Sequence, residues 1–274
     1  MSDAQPTVRS GSATDSSAAP PEVVVCLPAY NEEANLPPLL ERMEAALGAA
    51  GCRRRYVICD DGSRDRTAAI LAEWARRIPL EIVTHAQNRG LGETIRDALR
   101  RGAELAGPGA VLLTMDADNT QPPELCEAML RRIAAGADVV IASRYQPGAR
   151  VVGLSRGREL ASRVAGLLFK IVLPMRGVRD YTSGFRMYRA DVIRRAFEWY
   201  GDGFVSRRGF ECMADILIKV HHLGAAFAEV PMVLHYEAKQ GASKMRVSRT
   251  VLQTLKLMAL RRLGVGLRRA PPRQ

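Results

Sequence analysis

Four polar clusters in this sequence have residue types and spacing that could do chemistry. They are Pro28-Ala29-Tyr30-Asn31-Glu32-Glu33, Asp60-Asp61-Gly62-Ser63-Arg64-Asp65, Asn88-Arg89-Gly90-Leu91-Gly92 and Asp116-Ala117-Asp118-Asn119. Each follows a short apolar run. One such cluster alone is ordinary, because acidic residues after a strand cap helices and close turns. Four in succession gather carboxylates in one place, and that surplus needs a counter-ion. Asp116-Ala117-Asp118 is the most specific of the four. Carboxylates at i and i+2 leaving a strand can both turn toward one hard cation, and Mg²⁺ takes one or two carboxylates together with phosphate and water oxygens. The competing use is capping the helix that starts near Pro122-Pro123, a task open to Asn119 or Thr120 as well. Adjacent His221 and His222 point apart on a helix, so no zinc set competes.

The clusters need a scaffold that brings them together. Val23–Leu27, Tyr56–Cys59, Leu80–Thr84, Val111–Met115 and Val139–Ala142 read as strands. Helical periodicity over Ala34–Ala50, Arg66–Arg77, Leu91–Leu105 and Pro123–Ala135 separates them. Repeated βαβ units of this kind predict an α/β fold with a parallel sheet covered on both faces. Ligands of open α/β sheets bind beyond the carboxyl ends of the strands, where all four clusters fall. Past Arg144 the rhythm changes to a Gly-, Pro- and Arg-rich loop over Tyr145–Arg158, followed by a helix to about Leu173. A strand over Thr182–Tyr188 and helices over Asp191–Tyr200 and Gly209–Leu223 come next. Ala226–Tyr236 closes the folded region as a strand kinked, or held at an edge, by Pro231.

Composition excludes several classes. The 274 residues carry 47% apolar side chains and 25% charged ones, enough for a full core and unlike a disordered chain. No apolar run reaches the roughly 18 residues of a membrane span. The net charge of +11 is placed unevenly: residues 239–274 hold ten Lys or Arg and no Asp or Glu, leaving +1 for residues 1–238. A nucleic-acid binder would spread such charge over its fold and use more than 5% aromatic residues for stacking, so the tail points to another anionic partner. Five cysteines without close spacing suggest a reducing, cytoplasmic setting. Residues 1–21, rich in Ser, Ala and Pro, read as a disordered leader, residues 22–238 as a catalytic domain, and 239–274 as a basic loop and amphipathic helix. Neither a phosphate-binding G-x-x-x-x-G-K-[ST] loop nor a G-x-S-x-G elbow is present, which argues against ATPase and Ser-hydrolase chemistry.

Taken together, the clusters resemble the inverting family 2 glycosyltransferases, and within them the polyprenol-phosphate (dolichol-phosphate) mannosyltransferases and their glucosyl relatives. That resemblance implies a nucleotide-diphosphosugar-binding (GT-A type) fold with a largely parallel sheet. It implies that Pro28, Tyr30, Glu32, Asp61 and Ala117 lie against the nucleotide. Asp116 and Asp118 match the family's D-x-D element, which binds Mg²⁺ or Mn²⁺ at the diphosphate. Arg144, Arg158 and Lys244 match basic residues around the phosphates, and Asp180 a loop residue at the reaction centre, either a base or an orienting carboxylate. The alternative for Asp180 is an ion pair with Arg179 or Arg186. Three departures are visible: Thr120 stands where many members have Gln, with Gln121 next; Ala238 replaces an arginine, with Lys239 adjacent; and Leu154 replaces an indole.

The implied donor is a nucleotide diphosphosugar, with GDP-mannose favoured, and the implied acceptor is a polyprenyl phosphate. A phosphate acceptor is already ionised and needs guanidinium groups, which Arg144, Arg150, Arg156 and Arg158 would supply, where a hydroxyl acceptor needs a base. The same fold acting on a hydroxyl, or a non-catalytic nucleotide-sugar or membrane-binding module, is the alternative. In the tail, Val251, Leu252, Leu255, Met258, Ala259 and Leu263 form one helical stripe, with Arg246, Arg249 and Lys256 away from it and Leu257 and Leu260 outside it. Such a helix suits an anionic membrane surface, giving a peripheral protein at the cytoplasmic face, alone or with a membrane subunit. Packing of the helix on the domain is the competing expectation.

Overall fold

The structure, a computed structural model, describes residues 20–153, 166–238 and 247–267. Its elements in order are β1 (Glu22–Ala29), α1 (Leu36–Ala49), β2 (Arg53–Asp60), α2 (Thr67–Trp74), β3 (Leu80–Thr84), α3 (Leu91–Leu105), β4 (Val111–Thr114), α4 (Cys126–Ala134), β5 (Val139–Ser143) and β6 (Arg150–Val152). Residues 166–172 are helical (α5). Then come β7 (Arg186–Arg189), α6 (Ala190–Tyr200), α7 (Cys212–His222), β8 (Phe227–Pro231), β9 (Val233–His235) and α8 (Val247–Arg262).

Seven strands form the main sheet in the order β3-β2-β1-β4-β7-β5-β8. Along β1, Val24 and Cys26 pack on one face with α3, α6 and α7, while Val23, Val25 and Leu27 pack on the other with α1 and α4. Both faces are covered, as the uninterrupted apolar runs require. Helix α3 buries Ile95, Ala98, Leu99, Gly102 and Ala103, one stripe of helical spacing. Gly102 lets it close on the sheet, since a Cβ there would lie 2.4 Å from the Cys26 sulfur. All five cysteines are free and buried.

Three expectations are corrected. The strand expected over Thr182–Tyr188 starts only at Arg186, and it runs antiparallel between β4 and β5, with Arg186 opposite both Thr114 and Ile141. An antiparallel strand begins where its parallel neighbours end, so β7 delivers the 180–185 loop to the carboxyl edge of the sheet. The single strand over Ala226–Tyr236 is two: β8 pairs with β5, and after Pro231 the chain leaves to pair β9 with β6 in a second sheet. That pairing also gives the expected loop over Tyr145–Arg158 a strand at Arg150–Val152.

Helix α8 packs on the domain through Leu257 and Arg261, with Met258 the one buried member of the expected stripe. Leu257, Met258 and Arg261 are buried, whereas Val251, Leu252, Leu255 and Leu263 are exposed. The reason is a buried charge cluster. Asp215 on α7 accepts from Arg261 Nε at 2.7 Å and from Lys219 at 2.8 Å, and all three side chains are nearly inaccessible to solvent. Lys219 also donates to the carbonyls of Gly203 and Phe204, and burial holds its pKa below the usual lysine value. Removing one member of a buried pair leaves an uncompensated charge at a cost of about 3 kcal/mol. Arg261→Ala should therefore lower stability toward urea by about that amount and open residues 247–267 to limited proteolysis, while Arg261→Lys should keep most of both.

Candidate active site

The sheet edge is built from loops that brace one another. After β1, Asn31 takes a positive φ of 51°, and its backbone N–H donates to Ser63 Oγ at 2.9 Å. Asn31 Oδ1 in turn accepts from the Arg64 N–H, and the Glu32 N–H donates to Thr67 Oγ1. The first two clusters are thus one unit. Within it Pro28 and Tyr30 are half-buried, while Glu32 is buried and accepts from Asn35 Nδ2 at 2.7 Å. Asp60 accepts from the Ser63 N–H. Asp61 is buried and accepts from the N–H groups of Arg89 and Gly90 at 2.8 and 2.9 Å, which ties the third cluster to the second.

Asp116 and Asp118 follow β4 at the centre of the sheet, half-buried, with Ala117 buried between them. Gln121 folds back onto Asp116, its Oε1 accepting from the Asp116 N–H at 3.0 Å and its Nε2 donating to Oδ2 at 2.9 Å. Asp118 Oδ1 accepts from Thr120 Oγ1 at 2.7 Å. The helix over Pro123–Leu125 and α4 has no side-chain cap, so neither aspartate is spent on capping it. Opposite them stands Gly184, where a Cβ would come within 3.0 Å of Asp116 Oδ1. The missing side chain keeps the space beside that carboxylate open. No three His, Cys, Asp or Glu side chains among the described residues are grouped for a metal. The donor set is two carboxylates, which fits a hard cation that completes its shell with diphosphate and water oxygens. The protein ligands would be Asp116 and Asp118.

Arg144 follows β5. Its Nε and Nη2 grip the two oxygens of Asp180 at 2.8 and 2.7 Å, and Nη2 reaches Thr182 Oγ1 at 2.6 Å. Asp180 pairs with this arginine and not with Arg179 or Arg186. It is fully buried and also accepts from the N–H groups of Arg144, Thr182 and Ser183, five hydrogen bonds in all. Burial alone would raise its pKa, but the Arg144 guanidinium and those donors hold it below the usual carboxylate value; Arg144 in turn is raised by Asp180 against its own burial. Glu229 on β8 fixes the loop from beneath, accepting from the N–H groups of Arg179 and Asp180 at 2.6 and 2.8 Å. Arg186 points away, fully buried, with Nη2 on the Tyr181 carbonyl. The 180–184 loop therefore touches Arg144 at one end and Asp116 at the other.

A surface cavity of about 720 Å³ opens next to this pair, lined by Gln146, Lys170, Arg176, Arg179 and Tyr181 among others, with no carboxylate among the described residues of its wall. Arg150 is exposed on β6, and Arg156, Arg158, Lys239 and Lys244 lie outside the described residues. Sequence reading missed Glu229, Gly184 and His85. The first two matter only through the antiparallel β7; His85 carried a signal, being a lone histidine directly after a strand.

Residues 24–197 match the family described as glycosyl transferase family 2, and the chain belongs to that family. It is 32% identical to the dolichol-phosphate mannosyltransferase of Pyrococcus furiosus over 86% of this chain and 62% of that one. It therefore spans under two thirds of that relative's length. To the polyprenol monophosphomannose synthase of Mycolicibacterium smegmatis it is 31% identical over 81% of this chain and 80% of the relative. The glucosyl-3-phosphoglycerate synthase of Mycobacterium tuberculosis, crystallised with Mn²⁺, UDP-glucose and phosphoglyceric acid, superposes with a TM-score of 0.59 at 20% identity, over 90% of this chain and 80% of that chain. This likeness and the sheet order make the fold GT-A type.

The Asp180–Arg144 pair has a defined pH signature. A carboxylate whose pKa is lowered on folding adds stability above its unfolded pKa of about 3.9 and loses it as pH falls through the folded value. Asp180→Asn should cost about 3–5 kcal/mol near neutral pH. In urea denaturation the gap to the unmodified chain should hold down to about pH 4 and narrow below it.

Proposed function

We propose that the chain transfers a hexose, mannose from GDP-mannose, to a polyprenyl phosphate with inversion at the anomeric carbon, using Mg²⁺ or Mn²⁺. The saturated state of Asp180 carries this reading. A hydroxyl acceptor must lose a proton to a base, and the carboxylate next to Arg144 is buried, held ionised and already accepting five hydrogen bonds. A phosphate acceptor arrives ionised and asks for oriented cations instead. Arg144, aimed by Asp180, is such a cation, and the nearby cavity adds Lys170, Arg176 and Arg179. The mannosyl specificity is supported by the named activities of the two relatives.

In this reading Pro28, Tyr30, Glu32, Asp61 and Ala117 seat the nucleotide. Asp116 and Asp118 hold the divalent ion, which when bound offsets charge on the departing diphosphate. Arg144 steadies phosphate oxygens, with Asp180 as its positioning residue, and Arg158 and Lys244 join it from segments outside the described residues. A glycosyl transfer assay with a short polyprenyl phosphate should give product on the lipid and none on free saccharides. Asp116→Ala or Asp118→Ala should lower turnover at least about 100-fold and abolish the metal-dependent rise in melting temperature with GDP-mannose. Product on saccharides alone would favour the hydroxyl acceptor, and no melting shift with any nucleotide sugar would end the reading.

A lipid-linked acceptor also demands access to a bilayer. No helix among the described residues is long and apolar enough to cross one. Helix α8, pinned by Arg261, turns Val251, Leu252 and Leu255 outward within the basic tail, and we place this face on the headgroup region of an anionic leaflet, by itself or beside a membrane subunit. Leu252→Glu with Leu255→Glu should abolish flotation with anionic liposomes and leave the melting temperature unchanged; undiminished flotation would assign attachment elsewhere.

A further inference from the structure

Away from the aspartate pair, one buried ring is locked between two acidic side chains. His85 directly follows β3 and is 6% exposed. Its Nδ1 lies 2.6 Å from Asp61 Oδ1, and its Nε2 lies 3.0 Å from Asp97 Oδ2 on α3. An ionised carboxylate only accepts, so a ring with a carboxylate against each nitrogen bonds on both sides only when both nitrogens carry hydrogen. Its neighbours form a charged network. Asp97 also meets Arg96 at 2.9 Å and Arg89 at 3.6 Å, while Glu93 meets Arg89 and Arg96 at 2.8 and 2.6 Å. The remaining neighbour is Cys59, with Sγ 3.5 Å from Nε2, a thiol kept neutral because burial and the nearby aspartates push its pKa up to about 12.

The ring stands behind the second and third clusters. Asp61, held by His85, carries the Arg89 and Gly90 N–H groups, and the Gly92 N–H continues the brace to the Arg208 carbonyl at 3.0 Å. Gly62, at a φ of +68°, seats against Gln87 and Asn88, where a Cβ would come within 2.7 Å. A shift of Asp61 therefore moves the 88–92 turn with it.

We propose that His85 is a positioning residue for the nucleoside diphosphate part of the donor: bridging Asp61 and Asp97, it fixes the Asp61 carboxylate, which the proposed function assigns to the nucleotide, and with it the 88–92 turn. This rests on the nucleotide-sugar reading above. His85 does not touch the reacting atoms, so its loss acts on donor binding and not on the transfer step. Glutamine in its place can donate to one carboxylate while its own carbonyl faces the other. Converting Asp97 to Asn removes that clash, because the new amide can donate to the glutamine carbonyl.

The test compares His85→Gln with His85→Gln/Asp97→Asn in the full chain, using steady-state kinetics and calorimetric titration with GDP and UDP. The single variant should raise donor KM and the Kd of the preferred nucleotide about tenfold, with kcat within about twofold of the unmodified enzyme. The double variant should recover most of that loss. A donor KM unchanged in His85→Gln, with turnover intact, would overturn the positioning role and leave the proposed function standing. Equal loss of kcat and KM effect in step with a lower melting temperature, without recovery in the double variant, would reduce His85 to a structural residue. An unmodified chain that binds neither nucleotide would overturn the glycosyl transfer reading and this role with it.

Discussion

The buried contact between Asp180 and Arg144 is the constraint on which the rest of the sheet edge depends. A buried ion pair is favourable only when further hydrogen bonds compensate for the water both charges lose. Here the compensation comes from backbone N–H groups of Arg144, Thr182 and Ser183, and Glu229 holds the peptide groups of Arg179 and Asp180 from the next strand. Satisfying the pair therefore freezes the whole 180–185 segment. The same segment fixes the centre of the sheet, since Thr114 Oγ1 donates to the Gly184 carbonyl and Gly184 leaves the space beside Asp116. One desolvated carboxylate thus sets the spacing between a guanidinium and an aspartate that lie on different strands.

Much of the scaffold was legible because its code is local. Leu80–Thr84 and Leu91–Leu105 have the bounds that apolar periodicity gives them, and the four clusters do lie at strand ends. The direction of β7 was not legible. Four residues, Arg186–Arg189, carry no signal that separates a parallel from an antiparallel neighbour; the choice is made by where the 180–185 loop finds its hydrogen bonds. The partner of Asp180 was hidden for a related reason. Arg179 and Arg186 are near in sequence, but Arg186 is drawn under the loop to the Tyr181 and Met213 carbonyls, while Arg144 comes from another strand. Helix α8 shows the limit of periodicity most directly: the stripe expected at a membrane surface leaves Val251, Leu252 and Leu255 exposed, while the buried cluster of Asp215, Lys219 and Arg261 turns Leu257, outside the stripe, and Met258, within it, inward.

The abundance of acids at the sheet edge also has a different meaning in three dimensions. Asp60, Asp65, Glu33 and Glu32 accept hydrogen bonds from the loops that carry them or from each other's loops. These are braces that fix backbone, and loops fixed in advance hold a ligand without losing freedom when it arrives. The surplus of carboxylates that first suggested a cation is thus smaller than the sequence implies. Asp116 and Asp118, bonded to Gln121 and Thr120 of their own loop, stand half-buried at the end of the central strand.

Under the proposed function, this partition would let one edge serve two ligands of like charge. A diphosphate and a second phosphate repel unless fixed positive groups lie between and around them, and mobile lysines would lose entropy to provide that. The chain instead uses buried acids to aim cations. Asp180 aims Arg144 on the β5 side, and Asp61 holds the 88–90 turn on the β2 side. Between these two saturated carboxylates, Asp116 and Asp118 stand half-buried at the end of the central strand. Exchanging the roles would fail physically: an exposed Asp180 would repel an incoming phosphate, and a buried Asp116 could not reach a solvated ion. Burial, more than residue type, separates Asp180, which aims a cation, from Asp116 and Asp118, to which the proposed function gives the metal.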